Sequence, residues 1–329
     1  MRFSVVGAGA IGGLMAARLS AAGHPVHVIA RGPTLEAIMS DGLTVTSADG
    51  SPAVKTAVSA SNDFSAAAGC DAVILAVKAH QIIDIVDEIP KLYGPDTTVI
   101  PVQNGIPWWF FQRFGGPHDG HRLVTLDNGA IARAIPPDRI VASVAYPAAE
   151  RRGPSLIHHV EGDRFPIGEL DGTKSDRAVA IAAAFSDAGF TSRVVSDIRS
   201  NLWVKAWGNL AFNPISALTG STLGEICADP ETRRLVTDMM LEAAAIADAL
   251  GVRIRLGVDK RIAGAEQIGD HRTSMLQDLE AGRPLEVDPL VGVFVELGEL
   301  TGVATPSIRA IYAAVQRLNR RLIEEATVS

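Results

Sequence analysis

The sequence is poor in several features that mark particular classes of protein. It has only two cysteines in 329 residues, Cys70 and Cys227, which excludes a disulfide framework and favours a reducing, cytoplasmic location. Lys and Arg number 30 against 37 Asp and Glu, so the net charge of −7 leaves no basic excess for a nucleic-acid backbone. No apolar run reaches the roughly 18 residues of a membrane span. We therefore expect neither nucleic acid nor a membrane as a partner.

Aromatic residues are also few, at 5%, but hydrophobic residues make up 47% of the chain and can form a sizeable core. The length favours two domains. In the first 130 residues, short apolar runs alternate with helical patterns, which is typical of a parallel sheet covered on both faces. The predicted strands are 2–6, 25–30, 71–77 and 98–102, and the predicted helices are 11–22, 34–40 and 80–92. Strand-like runs at 139–146 and 155–160 are expected to complete this sheet.

The chain changes character near residue 196. Helical spacing dominates from there on, over 200–218, 230–250, 258–268, 289–301 and 306–325. We predict an α/β domain over 1–196, followed by an all-α domain over 197–329.

A glycine-rich turn follows the first predicted strand. Residues 7–12 match G-x-G-x-x-G between a strand and a helix, the context that gives this motif its meaning. The first glycine permits the tight turn, the second lets the backbone approach a pyrophosphate, and the third allows close helix packing. The helix N-terminus favours the phosphate charge. The pattern predicts a Rossmann-type dinucleotide-binding domain, with cofactor contacts from Gly7, Gly9, Ala10, Ile11 and Gly12.

Polar residues follow three of the predicted strands. The second strand ends at Arg31 with no nearby acidic residue, and a guanidinium suits the 2′-phosphate of NADP better than the ribose hydroxyl of NAD. Lys78 and Asn104 follow the next two strands, at the edge where parallel sheets bind ligands. The alternatives are a solvated surface arginine, a lysine that solvates a loop, and ordinary Asn-Gly turn chemistry. We favour NADPH contacts for all three residues.

A polar stripe crosses an otherwise apolar helix. Lys205, Asn209 and Asn213 are spaced i, i+4 and i+8, so they lie on one helical face. A lysine on a mostly buried helix must face water, an anion or a ligand, because desolvating it alone is costly. The alternative is a structural polar network between helices. Further along, Ser274 and Glu286 lie in a second polar cluster, where Glu286 by itself fits a helix-capping residue.

Five motifs in order resemble the ketopantoate reductase (2-dehydropantoate 2-reductase) family, and together they span nearly the whole chain. The motifs are the glycine turn 7–12, Lys-Ala-His-Gln at 78–81, Gln-Asn-Gly at 103–105, the Lys…Asn…Asn-Pro run within 202–214, and the Ser-Met-Leu-Gln-Asp…Glu run within 274–286. The last two runs are far more specific than the glycine motif.

The resemblance implies that NADPH reduces a 2-keto acid to a 2-hydroxy acid. It implies that Lys205 polarises the keto oxygen and that Glu286 is the general acid. Asn104, Asn209, Asn213 and Ser274 would bind substrate, while Arg31, Lys78, Asn104 and the glycine turn would hold NADPH. It also implies a second domain like the C-terminal domain of 6-phosphogluconate dehydrogenase and a homodimer. From the residues themselves we expect no metal site, because His158 and His159 alternate faces of a strand and His118 and His121 are only two histidines in a Gly-rich segment.

Two features leave the substrate open between 2-dehydropantoate and a bulkier analogue. Residues 219–224 lack an asparagine that members acting on ketopantoate carry about ten residues after the Asn-Pro step. Four consecutive aromatics, Trp108–Phe111, follow Asn104 and are compatible with a larger pocket, a lid, a subunit interface or plain core packing. The alternative functions are a 3-hydroxyacid or 6-phosphogluconate-type dehydrogenase and a nonenzymatic NADP(H)-binding sensor.

Overall fold

The structure, a computed structural model, describes the backbone of residues 1–328 and the side chains of residues 1–325. The chain forms two compact units. The first contains Met1–Gln103, Trp108–Arg122 and Gly129–Ile198, and the second contains Asn104–Pro107, Leu123–Asn128 and the chain from Arg199 onward. Two short segments from the first half of the sequence therefore belong to the helical unit.

The first unit is built of strands and helices in alternation. Its strands are β1 (Phe3–Val6), β2 (Val26–Ile29), β3 (Leu43–Ser47), β4 (Val54–Thr56), β5 (Ser59–Ser61), β6 (Ala72–Leu75), β7 (Thr98–Pro101), β8 (Val141–Ser143), β9 (Ala148–Arg151), β10 (Leu156–Glu161) and β11 (Ile167–Glu169). Its helices are α1 (Ala10–Ala21), α2 (Gly32–Asp41), α3 (Ala130–Ala134) and α4 (Asp176–Asp187).

The main sheet is parallel throughout, in the order β5-β2-β1-β6-β7. Every residue of β1, β6 and β7 is buried, which explains why these strands appear in the sequence as continuous apolar runs. Helix α1 contributes Leu14, Met15 and Leu19 to the core beneath them. The predicted parallel α/β fold is confirmed.

The prediction that residues 155–160 complete this sheet was wrong. Strand β10 belongs to a second sheet, in the order β4-β3-β10-β9, while β8 and β11 form a separate pair. Unlike the central strands, β10 buries only Ile157, whose side chain packs against the bare backbone of Gly13 on α1. Because only one residue of β10 is buried, this strand is typical of a partly exposed sheet that packs on a helix, here α1.

The predicted helix over 80–92 is also absent. The structure has three short 3₁₀ turns there, Ala79–Gln81, Ile83–Ile85 and Ile89–Leu92. Pro90 lies in the last of them, and a proline inside a longer α-helix would remove one hydrogen bond and clash with the preceding turn.

The second unit is helical. Its elements are α5 (Ile198–Thr219, which begins at the last residue of the first unit), α6 (Leu223–Ala228), α7 (Pro230–Ala249), α8 (Val258–Ile268), α9 (Ser274–Glu280), a π-helical turn (Asp288–Gly292), α10 (Val293–Thr301) and α11 (Pro306–Val328). None of the helices between residues 1 and 328 is both long and apolar enough to cross a membrane.

Helix α5 lies in the interior of the second unit. The indole of Trp207 donates a hydrogen bond to the carbonyl of Met240 on α7, at 2.7 Å. Trp203 packs edge-to-face on Phe294 of α10, with ring centroids 5.4 Å apart. These contacts fix the rotation of α5 about its axis and leave the stripe that begins at Lys205 on a different face.

Candidate active site

The glycine turn after β1 is shaped by two tight packing contacts. Gly7 has φ +98°, and a side chain there would come within 2.7 Å of a methyl of Val77. A Cβ on Gly12 would overlap the carbonyl oxygen of Gly7. The first and third glycines of the motif are therefore required for the chain to turn and for α1 to pack against β1.

Gly9 differs from both of its neighbours in the motif. It caps the N-terminus of α1 in an extended conformation that any residue can adopt, and a Cβ there would meet no atom within 4 Å. Within the part of the chain that the structure describes, no side chain caps this end of the helix. The open space above the positive end of α1 is a cradle that fits a pyrophosphate.

Arg31 and Lys78 stand on either side of this cradle, because β2 and β6 flank β1 in the sheet. Arg31 is exposed at the start of α2, and within the described residues its guanidinium makes no hydrogen bond or ion pair. Lys78 is half-buried after β6, and its backbone N–H donates to the side chain of Gln81 at 3.1 Å. Both cations lie beyond the carboxyl ends of parallel strands, where phosphate groups bind in such sheets.

Gln103 is a residue of this edge to which the sequence analysis gave no role. Its amide nitrogen donates to the carbonyls of Leu75 at 2.6 Å and Val77 at 3.0 Å, which ties the chain after β7 to the end of β6. Its amide oxygen is buried and has no hydrogen-bond partner among the described residues. The only signal in the sequence was its place before Asn104-Gly105.

The second unit brings Lys205 together with Asn104 and Glu286. The ammonium of Lys205 donates to the side-chain oxygen of Asn104 at 2.6 Å. Burial lowers the pKa of Lys205 from 10.5 to about 8, and the nearby negative charge of Glu286 raises it in part. A lysine with a lowered pKa, hydrogen-bonded to an amide and influenced by the charge of a carboxylate, is typical of a catalytic site.

A glycine and the π-helical turn hold Asn104 in place. Gly105 has φ +82°, and a Cβ there would overlap the carbonyl oxygen of Pro289. The next residue, Ile106, donates its N–H to that same carbonyl at 3.1 Å. The segment after Asn104 therefore lies directly on the turn that follows Glu286.

The remaining substrate-binding candidates lie further along α5 and on α9. Asn213 is 5% exposed, and its amide nitrogen is 3.4 Å from the hydroxyl of Ser274, which is exposed at the start of α9. Asn209 is half-buried, and in the described part of the chain its amide has no hydrogen-bond partner. Along the stripe, therefore, the ammonium of Lys205 is hydrogen-bonded to Asn104, the amide of Asn209 has no partner among the described residues, and the amide of Asn213 is buried.

The aromatic run after Asn104 is core. Trp108, Trp109, Phe110 and Phe111 are at most 5% exposed, and Phe111 packs edge-to-face on Phe114 and His121. Of the four interpretations of this run, core packing is the one that the structure supports. Among the described residues, no group of three or more His, Cys, Asp or Glu could hold a metal ion.

Known proteins match this chain over nearly its whole length. The family model described as "Ketopantoate reductase PanE/ApbA" matches residues 3–108, and its C-terminal counterpart matches residues 197–319. The 2-dehydropantoate 2-reductase of Mesorhizobium japonicum is 50% identical over 97% of this chain and 98% of its own.

Solved structures agree with these matches. A Ralstonia solanacearum protein, provisionally described as a ketopantoate reductase, is 40% identical with a TM-score of 0.92, covering 97% of this chain and 98% of its own. The 2-dehydropantoate 2-reductase of Geobacter metallireducens is 27% identical with a TM-score of 0.85, covering 97% and 100%. The resemblance stated from the sequence motifs is confirmed.

Proposed function

The chain belongs to the ketopantoate reductase family, and on that premise we propose that it reduces 2-dehydropantoate to pantoate with NADPH. The observation that carries the proposal is the half-buried Lys205, whose ammonium donates to Asn104 and whose pKa is raised in part by the charge of Glu286. Neither of the alternative functions, the 3-hydroxyacid or 6-phosphogluconate-type dehydrogenase and the nonenzymatic sensor, is supported by these matches.

The first unit has the groups that NADPH requires. The pyrophosphate would lie over the open backbone at Gly9, with Gly7, Ala10, Ile11 and Gly12 forming the turn beneath it. Arg31 would pair with the 2′-phosphate, and Lys78 with a phosphate on the other side of β1. When bound, NADPH supplies the hydride that reduces the keto carbon.

Lys205 would stabilise the charge that develops on the substrate oxygen. Its pKa of about 8 keeps the ammonium protonated near neutral pH. The hydrogen bond to Asn104 fixes the direction of the ammonium, so little reorganisation is needed as the keto oxygen becomes an alkoxide. Asn104 would also contact the cofactor.

Glu286 would donate a proton to that oxygen as the general acid, so its carboxyl group must be protonated before each turnover and is left as a carboxylate afterwards. Its negative charge raises the pKa of Lys205, and in the proposed reaction both groups would serve the same oxygen atom. The free amide of Asn209 and the pair of Asn213 and Ser274 would bind the hydroxyl and carboxylate groups of the substrate.

The experiment that tests this proposal is NADPH oxidation across a panel of 2-keto acids graded in size and polarity. We expect 2-dehydropantoate to give the highest kcat/KM, with bulky apolar acids much slower, because the aromatic run is core rather than pocket. Preference for bulky apolar acids would overturn the substrate assignment, and no oxidation with any acid would overturn the reaction class.

We also propose a cytoplasmic homodimer. Both cysteines are free and buried, which is compatible with a reducing compartment. The dimer is implied by the family resemblance alone. Light scattering after gel filtration tests it, and a mass near 34.6 kDa at micromolar concentration would contradict it.

A further inference from the structure

One face of helix α11 carries a stripe of half-buried polar side chains, Tyr312, Gln316 and Asn319. Their spacing of i, i+4 and i+7 places them one above another along the helix. Neither the motifs nor the proposed mechanism assigns them a role. We call these three residues the α11 stripe.

The α11 stripe holds the segment that carries Glu286 at two points. The hydroxyl of Tyr312 and the amide nitrogen of Gln316 both donate to the same carboxylate oxygen of Asp288, each at 2.8 Å. The side-chain oxygen of Asn319 accepts the backbone N–H of Leu285 at 2.9 Å. The two anchored residues flank Glu286, one immediately before it and one two residues after it.

The same hydrogen bonds also affect Asn104, the hydrogen-bond partner of Lys205, because Asp288 is the first residue of the π-helical turn. Gly292 in this turn has no side chain, so the ring of Tyr312 lies against the backbone, where a Cβ would come within 2.8 Å. The carbonyl of Pro289 in the turn accepts the N–H of Ile106, next to the Asn104-Gly105 pair. Fixing this one turn therefore fixes both Glu286 and Asn104. Irregular π-turns inside helices are frequent at functional sites.

We propose that the α11 stripe positions Glu286 and Asn104 against Lys205, and that Tyr312, Gln316 and Asn319 are positioning residues for the reduction. This inference rests on the proposed function of Lys205 and Glu286. It assigns a role in catalysis to a helix that contains none of the residues proposed to bind substrate or cofactor.

The double variant Y312F/N319A removes one donor and one acceptor while keeping the ring on Gly292. We expect kcat to fall about 10-fold, since small misplacements of a reacting group are costly, with KM for 2-dehydropantoate and the NADPH Kd within about twofold. The control is R317A, one residue from Gln316 on the exposed side of α11. A lower Tm with unchanged kcat would show a purely structural role and overturn the proposal.

Two further variants separate positioning from stability. Asp288→Asn keeps an oxygen that accepts from both donors, so we expect it to retain most of the wild-type kcat, whereas Asp288→Ala should match the double variant. In an E286Q background, Y312F/N319A should cause a clearly smaller loss than in the wild-type enzyme, because the part of the effect that acts through Glu286 is already gone and only the part through Asn104 remains. Independent, additive losses would contradict the inference.

A readout without turnover keeps this test distinct from that of the proposed function. In Y312F/N319A, a displaced Glu286 would no longer raise the pKa of Lys205, so NMR titration of the lysine, assigned with K205R, should give a lower pKa than in wild type. An unchanged pKa overturns the inference even if the wild-type enzyme proves active on 2-dehydropantoate. A lowered pKa supports it even if another keto acid is the substrate.

Discussion

The glycine turn of the first unit and the Lys205 site of the second unit differ in how their cations are exposed to solvent. Around the glycine turn of the first unit, Arg31 stands in water and the helix end at Gly9 is open. In the second unit, Lys205 is half-buried, its ammonium donates a hydrogen bond to Asn104, and burial lowers its pKa. Solvated charges are screened and adjust easily, whereas a desolvated charge interacts strongly with any charge that forms beside it. The first arrangement suits binding, and the second suits catalysis.

The largest effect should come from Lys205→Ala. Removing a preorganised donor to a developing oxyanion costs about 100- to 1,000-fold in kcat. We expect a loss at the upper end of that range, measured by NADPH oxidation, with the NADPH Kd nearly unchanged. The exposed Lys260 of the same unit supplies the control, K260A. Activity close to that of K260A would remove the proposed role.

Glu286→Gln should come next. Loss of a general acid typically costs at least about 100-fold in kcat, and the isosteric amide preserves shape while removing the transferable proton. The matched control is E280Q, an exposed carboxylate in a surface ion pair. If E286Q turned over as fast as E280Q, the proton would have to come from another group.

A third prediction concerns the open end of α1. Gly9→Ala should fold normally, because the backbone is extended and nothing lies within 4 Å of the new Cβ. It should nevertheless weaken NADPH binding about 10- to 100-fold, by displacing the pyrophosphate from charged hydrogen bonds worth about 1.5–3 kcal/mol. Fluorescence titration measures the Kd and thermal melting the stability.

The contrast with Gly12→Ala makes this prediction specific. That Cβ overlaps the carbonyl of Gly7, so the variant should lower Tm as well as cofactor affinity. Equal Tm losses in the two variants would mean that Gly9 serves packing, not the cofactor.

The smallest effect should belong to Arg31→Ala. An exposed cation contributes modestly, so we expect KM for NADPH to rise about 10-fold and KM for NADH to change less than about twofold. The exposed Arg152 of the same unit provides the control, R152A. Equal changes in KM for NADPH and for NADH would show that Arg31 does not bind the 2′-phosphate.

The sequence predicted the features that depend on residues close together in the chain. The glycine turn needs only β1, the turn itself and α1, and its packing follows from the motif. The stripe that begins at Lys205 was visible because helical spacing places its members on one face. The buried runs of β1 and β6 likewise predicted a parallel sheet.

Features that depend on distant contacts could not be predicted. The second sheet required knowing that Ile157 packs on Gly13, far along the chain. Asn104 was expected near the cofactor, but its bond to Lys205 depends on the carbonyl of Pro289. Glu286 by itself fitted a capping residue, and its role as general acid was predicted from the family resemblance, not from its local sequence.

The most direct test of the central claim is kcat/KM of the wild-type enzyme against pH, from about pH 6 to about pH 10, with 2-dehydropantoate and NADPH. This ratio reports the ionisation of groups in the free enzyme. The active form needs a protonated Lys205, whose pKa is lowered to about 8, so the cation is present below that value and lost above it. We predict that kcat/KM falls as pH rises through about 8. A value that stays level up to about pH 10 would contradict the account, because Lys205 would then have its ordinary pKa or take no part in the reduction.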